Sequence, residues 1–369
     1  MHISKISLFR IDLPLSTPFH HASSGLVSNL EEVVARVETS TGVEGWGEVR
    51  GNCTYVTGDT PNRIMAAASF LAQKLPGEPL DELPRLSDLM GKLIVGNSAA
   101  KALLDIALHD ALAKAFGVPL AVILGGVRRR RLPSDICIPF CPAGEAATVT
   151  RTAISEGYTV IKVRMGLSPE EDSSRCAAVR EVIAASGSAA VIAIDANGAW
   201  TPKQALARIH LLEPFEPVFI EQPVAAEDIP GLRFLRERSP IPIMADESVQ
   251  TPRTLLELIE RQAADMFHFK LIKAGGFIPL KRMMGMAEVA GMPYMIGQMD
   301  EGMLATAAAV HAGAASSAAY FEVHCDRGVA SQPFSGLTFE EGYRILPEGP
   351  GLGVRVDEKG LVHVASFPQ

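Results

Sequence analysis

Three stretches decide the reading of this chain: IAIDANGAW (192–200), PVFIEQP (217–223) and PIMADES (242–248). Each runs from a short apolar segment into a carboxylate, Asp195, Glu221 and Asp246, at intervals of 26 and 25 residues. That interval is about the length of one strand–helix unit, and unbroken apolar runs read as parallel strands buried on both faces. Acids at the C-terminal ends of consecutive strands converge at the mouth of a β/α barrel, where that fold keeps its active sites. A lone acid at a strand end is commonly a helix N-cap. Three in register, in a partly buried mouth, repel one another unless a hard divalent cation holds them, and Mg²⁺ is the expected ion.

The rhythm extends to both sides. Strands are predicted near 135–140, 159–164, 190–195, 217–221, 241–245, 266–270, 293–297 and 319–323. Helical segments lie between them, such as PEEDSSRCAAVREVIAAS (169–186) and TPRTLLELIERQ (251–262). This alternation gives an α/β chain with a β/α barrel over residues 131–335. Residues 1–130 read differently. ISLFRIDLPL, EEVVARVETS and EGWGEV are strands of an antiparallel meander turning at Thr41-Gly42, and helices follow between 61 and 123. Strands followed by helices indicate a separate α+β domain. The tail, 336–369, is expected to pack back on that domain.

Composition narrows the function. The 369 residues are 47% hydrophobic and 21% charged, with a net charge of −8, which argues against nucleic acid or an anionic membrane as partner. The one basic cluster, Arg128 to Arg131, sits between domains and reads as a solvated linker face. Five cysteines are scattered, and the C-x₃-C of Cys137 and Cys141 lacks a second pair or a nearby His to finish a zinc site. Reduced thiols and the strand-like opening MHISKISLFRIDLPL, without a signal-peptide core, make the cytoplasm the expected compartment. Gly302–Tyr320 is uncharged but too weakly hydrophobic for a membrane span, and reads as a tightly packed helix.

Further chemistry lies on the same predicted mouth. Lys162 and Arg164 in IKVRMG share one face of the second strand by the period of two, and cations inside a barrel need a reason to be there. Lys270 ends the sixth strand in MFHFKLIKAGG and faces the mouth from the opposite side, where burial and a metal make lysine a usable base. Lys273, past the strand, reads as a loop charge. In YMIGQMDEG, one of Asp300 and Glu301 should face the mouth while the other caps the next helix. Asn197 and Glu247 adjoin the triad as substrate or supporting groups. His20, His21, Asn52 and Tyr55 lie in N-terminal segments able to cover the mouth.

Taken together, GWGE (45–48), ALLDIALHDALAKAFGVPLAVILGG (102–126), the K-x-[KR] strand, D-x-N, EQP, ADES, K-x₄-GG and D-E-G resemble the enolase superfamily. Within it they resemble the muconate-lactonizing-enzyme branch of the mandelate racemase/muconate lactonizing enzyme family. The resemblance implies a modified (β/α)₇β barrel under an α+β capping domain, and Mg²⁺ on Asp195, Glu221 and Asp246. It also implies removal of a proton α to a carboxylate, giving a metal-stabilised enediolate, with Lys162, Arg164, Lys270 and Glu301 in the catalytic set. Asn197, Glu247, Asp300, Tyr55 and His20 would bind the substrate, a small carboxylate, and a homo-oligomer is expected.

One departure matters. This branch usually carries K-x-K on the second strand, with the second lysine an acid/base; here that position is Arg164. Guanidinium donates hydrogen bonds and keeps its proton. A racemase or epimerase of an amino-acid-derived carboxylate is the leading expectation. A hydroxy-acid or hydroxyproline-type dehydratase or a cycloisomerase is the alternative, and a barrel that binds a metal–carboxylate ligand without turnover is a third.

Overall fold

The computed structural model describes residues 1–19 and 25–368 in full, and only the backbone of His20 and His21. Three long strands open the chain, β1 (Ile3–His21), β2 (Gly25–Thr39) and β3 (Glu44–Arg50), paired antiparallel in sequence order. Helices α1 (Pro61–Ala72), α2 (Leu83–Leu93) and α3 (Ser98–Ala115) pack on one side of this sheet. The GWGE motif explains how closely they pack. A Cβ at Gly45 or Gly47 would overlap the α3 backbone at Ala107 and Leu103, so the two glycines let β3 lie directly on the helix. Asp110 on α3 accepts from Trp46 N and Leu352 N, each at 2.7 Å, tying helix, sheet and C-terminal tail together.

The barrel strands follow in chain order: β4 (Asp135–Ile138), β5 (Val160–Arg164), β6 (Val191–Asp195), β7 (Ile220–Glu221), β8 (Ile243–Ala245), β9 (Met266–Lys270), β10 (Tyr294–Gly297) and β11 (Tyr320–Phe321). All are parallel and pair with their sequence neighbours, and a bridge from Ser134 to Phe321 closes the ring. The predicted helices appear as α4 (Pro169–Ser186) and α5 (Pro252–Glu260), each with Pro in its first turn and a capping box at Ser168 or Thr251. Helix α6 (Met303–Ala314) is buried from Leu304 onward, as its Ala-rich sequence suggests. Among the described residues no helix is long and apolar enough to cross a membrane.

The tail serves both domains. Its last strand, β12 (Val362–Phe367), joins the N-terminal sheet beside β1, but strand 338–340 pairs with 343–345, which pairs in turn with residues 131–133 at the edge of the barrel. Inside the barrel, Ala193, Phe219, Met244, Met266 and Met295 form an apolar plug. The strand period of two places the residues two steps on, Asp195, Glu221, Asp246, His268 and Gly297, in the next layer up. The fold thus lays a charged layer directly on an apolar floor.

Candidate active site

The three strand-end acids are 5%, 0% and 2% exposed at Asp195, Glu221 and Asp246. Buried charge persists only when paired, and the pairs are specific. Lys162 Nζ donates to Glu322 Oε1 at 2.6 Å and to Glu221 Oε2 at 3.2 Å, with Asp135 Oδ2 at 3.4 Å. Lys270 Nζ donates to Asp246 Oδ2 at 2.8 Å, with Glu322 Oε2 at 3.8 Å. Donor atoms of Glu221, Asp246 and His268 lie within 4.8 Å of one another. Asp195 stands outside that compact group, its Oδ1 accepting from Asn197 N at 3.0 Å.

Burial pushes Lys270 toward the neutral amine, but Asp246, Glu322 and Glu221 outweigh it and hold the proton well above the usual lysine range. Burial alone therefore does not lower this lysine: a carboxylate at 2.8 Å wins over desolvation. Lys162 behaves alike, burial being overcome by Glu221, Glu322 and Asp135. Glu221 and Asp246 are pushed up by burial, yet Lys162 holds the first and Lys270 the second below the ordinary carboxylate value. Asp195 goes the other way, raised by burial and then by Glu221. Burial and Asp246 push Glu247 up to about 7.

A small recess opens above this layer, lined by Tyr55, Arg164, Asp195, Asn197, Asp246, Glu247, Lys270, Gln298, Asp300, Glu322 and Cys325 among others. It brings together eight of the residues singled out from sequence. Lys162 lies beneath it and does not line it. Arg164 places its guanidinium 5.2 Å from the centre of the Phe19 ring and 3.8 Å from Asp300 Oδ2, which Arg50 approaches from behind at 3.5 Å. Asn52 accepts from Arg50 Nε at 2.7 Å, so it supports the cap. The side chains of His20 and His21 lie outside the described residues.

Two expectations are corrected. Glu301 neither reaches the recess nor caps the next helix. Its oxygens accept from Met299 N at 3.0 Å and Arg50 N at 3.4 Å. The cap of α6 comes from across the domain seam, where Glu48 Oε2 accepts from Ala305 N at 3.0 Å. Lys273 is no loop charge either. It is 1% exposed and donates to the Asp246 carboxylate, Asp246 O and His268 O. Sequence reasoning misses Glu322 and His268 and misplaces Lys273. The signal for Glu322 was present in AAYFE, another acid after an apolar run, and His268 shares the inward face of Lys270 by the period of two.

The seam carries a testable charge. Burial raises Glu48 to about 8, against the helix N–H groups that lower it, and burial raises Glu301 to about 7. A carboxyl whose folded pKa is raised contributes stability that is fully present below the unfolded value near 4.5 and lost as pH rises through about 8. Glu48→Gln should therefore raise Tm by roughly 2–5 °C at pH 8.5, with the gain shrinking toward pH 5. A Tm difference that does not change with pH would show that Glu48 is not neutral in the fold.

The residues present fit a divalent cation. Asp195, Glu221 and Asp246 are hard oxygen donors, and Asn197 Oδ1 and Glu247 Oε2 beside them are buried oxygens without a hydrogen-bond partner. A capped β/α barrel with strand-end acids and lysines gathered below one recess defines an enolase-type enzyme. Residues 145–360 match the enolase C-terminal domain-like family, and residues 5–125 match the mandelate racemase/muconate lactonizing enzyme N-terminal domain. The chain belongs to the mandelate racemase/muconate lactonizing enzyme family of the enolase superfamily. It is 32% identical over 360 residues to the L-Ala-D/L-Glu epimerase of Clostridium acetobutylicum, covering 96% of this chain and 99% of that protein. It is 29% identical over 370 residues to the N-succinyl-L-Arg/Lys racemase of Bacillus cereus, covering 100% and 99%. The crystal structure of the dipeptide epimerase of Cytophaga hutchinsonii with Mg and D-Ala-L-Val superposes with a TM-score of 0.93 at 29% identity, each chain covered in full.

Proposed function

We propose that this chain is a Mg²⁺-dependent racemase or epimerase acting at the α-carbon of an amino-acid-derived carboxylate, an N-acyl amino acid or a dipeptide. The observation that carries the reading is Lys270, placed on the wall of the recess and hydrogen-bonded to one of three strand-end acids. The names of the relatives support the substrate class. Asp195, Glu221 and Asp246 would hold the cation. When bound, it supplies positive charge that polarises a ligand carboxylate and offsets the acids that retain the Lys270 proton. Lys270 removes and returns the α-proton. Arg164 donates to a substrate oxygen and keeps its own proton. Lys162 holds Glu221 and Glu322 in place from below. The reading takes the protein as a cytoplasmic homo-oligomer, and its five free thiols suit a reducing compartment.

Arg164 favours a second reading. Inversion needs proton exchange on both faces, and on the β5 side the recess presents a guanidinium, with Lys162 below the wall. One base suffices for loss of water or for cycloisomerisation. The test of both is incubation with Mg²⁺ in D₂O across a panel of N-acyl amino acids, dipeptides and β-hydroxy acids, read by NMR. Deuterium uptake with inversion supports the epimerase; net dehydration supports the lyase; no exchange with any member overturns both. In the same assay Arg164→Lys should speed exchange on the β5 face about 10-fold or more and give it a pH dependence that the parent lacks. Equal rates and profiles in parent and variant would make Lys162 the group acting on that face.

A further inference from the structure

His268 lies at the centre of the charged layer, wholly buried on β9. Its Nδ1 is 2.6 Å from Glu221 Oε1 and 3.9 Å from Asp246 Oδ2. Lys162 donates to the other oxygen of the same carboxylate, and a carboxylate oxygen at 2.6 Å accepts, so Nδ1 carries the hydrogen and donates it, a charge-assisted bond. The other nitrogen, Nε2, is 3.6 Å from Glu322 Oε2 and has no hydrogen-bond partner. Space for the ring comes from the next strand. A Cβ at Gly297 on β10 would overlap His268 Nε2, so the imidazole occupies the volume that any other residue at 297 would fill. Lys162 meets the second oxygen of Glu221 at 3.2 Å.

We propose that His268 is a positioning residue for Glu221: its Nδ1–H fixes the rotation of that carboxylate for cation binding, and Gly297 makes room for it. The inference rests on reading the strand-end acids as a divalent-cation site. The rival role is direct ligation by the imidazole. That would require Nδ1 to give up its hydrogen and the 2.6 Å bond, leaving Glu221 Oε1 without its donor. Partners that orient a metal-binding side chain typically contribute about 10- to 100-fold in metal affinity.

The test is Mn²⁺ titration of chelator-stripped, full-length protein followed by EPR. His268→Leu keeps apolar bulk but removes the donor, and should weaken binding about 10- to 100-fold. His268→Asn places an amide N–H near the position of Nδ1 and should stay within about 3-fold of the parent, since the bond is retained. Gly297→Ala should weaken binding in the parent by displacing the ring, and should matter much less in the His268→Asn background, whose side chain does not reach the Nε2 position. This non-additivity keeps the proposal testable even if His268→Leu does not fold. Parent-like affinity in both His268→Leu and Gly297→Ala would overturn it. So would a ¹⁴N coupling to bound Mn²⁺ in the parent that vanishes in His268→Asn, which would make His268 a ligand. A parent that binds no Mn²⁺ would overturn the cation reading itself, whereas parent binding with indifferent variants overturns only the role of His268.

Discussion

Lys270→Met is expected to abolish α-proton exchange on one face of the substrate and to lower kcat by about 1,000-fold, within the range a positioned acid–base group contributes. The effect should fall on chemistry alone. Lys270 is 7% exposed and donates to Asp246, which keeps a second donor in Lys273, while Glu322 at 3.8 Å keeps Lys162, so neither carboxylate is orphaned. Met retains most of the stem's volume, which limits the packing loss. Mn²⁺ affinity should be unchanged or tighter, because a competing cation at Asp246 has been removed. Single-turnover exchange in D₂O with separate D and L substrates reads the face, and EPR titration reads the metal. Parent-like turnover would reduce Lys270 to an electrostatic partner of Asp246. Loss of Mn²⁺ binding alongside activity would assign the effect to the metal site.

The parts of this architecture that sequence made legible are those governed by local period. An acid closing an apolar run marks a strand end, so the sequence alone places Asp195, Glu221 and Asp246 in register. The separate α+β domain followed from strands succeeded by helices, and its place as a cap over the barrel from the family resemblance that GWGE and the later motifs carry. What local period does not encode is the direction of a side chain after a strand has ended. Lys273 looked exposed because it lies past β9, yet the short helix Leu271–Ala274, closed by Gly275 at φ 89°, turns it back under Asp246. One of Asp300 and Glu301 is expected to cap α6, because both precede it. Glu48, 257 positions before the Ala305 N–H that it accepts, holds that role, and Glu301 instead receives N–H groups at the domain seam. Lys162 looked like a second flank for the substrate. Three acids from β4, β7 and the end of β11 draw it below the recess, a convergence visible only after the ring closes.

Glu221→Gln should produce the other large loss, and for a different reason. Glu221 is wholly buried with both oxygens engaged, Oε1 by His268 and Oε2 by Lys162. Glutamine preserves the shape but offers one acceptor and one donor group where two donors already point. It also removes one of the three negative charges that offset a divalent cation. Metal affinity should fall by more than about 100-fold, beyond the loss expected from any supporting partner. At saturating Mg²⁺, kcat should still fall by about 1,000- to 10,000-fold, or about 4–5.5 kcal/mol of transition-state stabilisation. Unfolding is the control. Removing one partner of a buried ion pair costs about 3–5 kcal/mol when the other is left alone. Lys162 keeps Glu322 at 2.6 Å and Asp135 at 3.4 Å, so the Tm measured in EDTA should drop only modestly. A large loss of activity and Mn²⁺ binding with a small loss of Tm in chelator identifies Glu221 as a metal ligand. Full activity of the parent after exhaustive chelation, or parent-like turnover by Glu221→Gln, would mean that the strand-end acids serve only to pair with the buried lysines and His268.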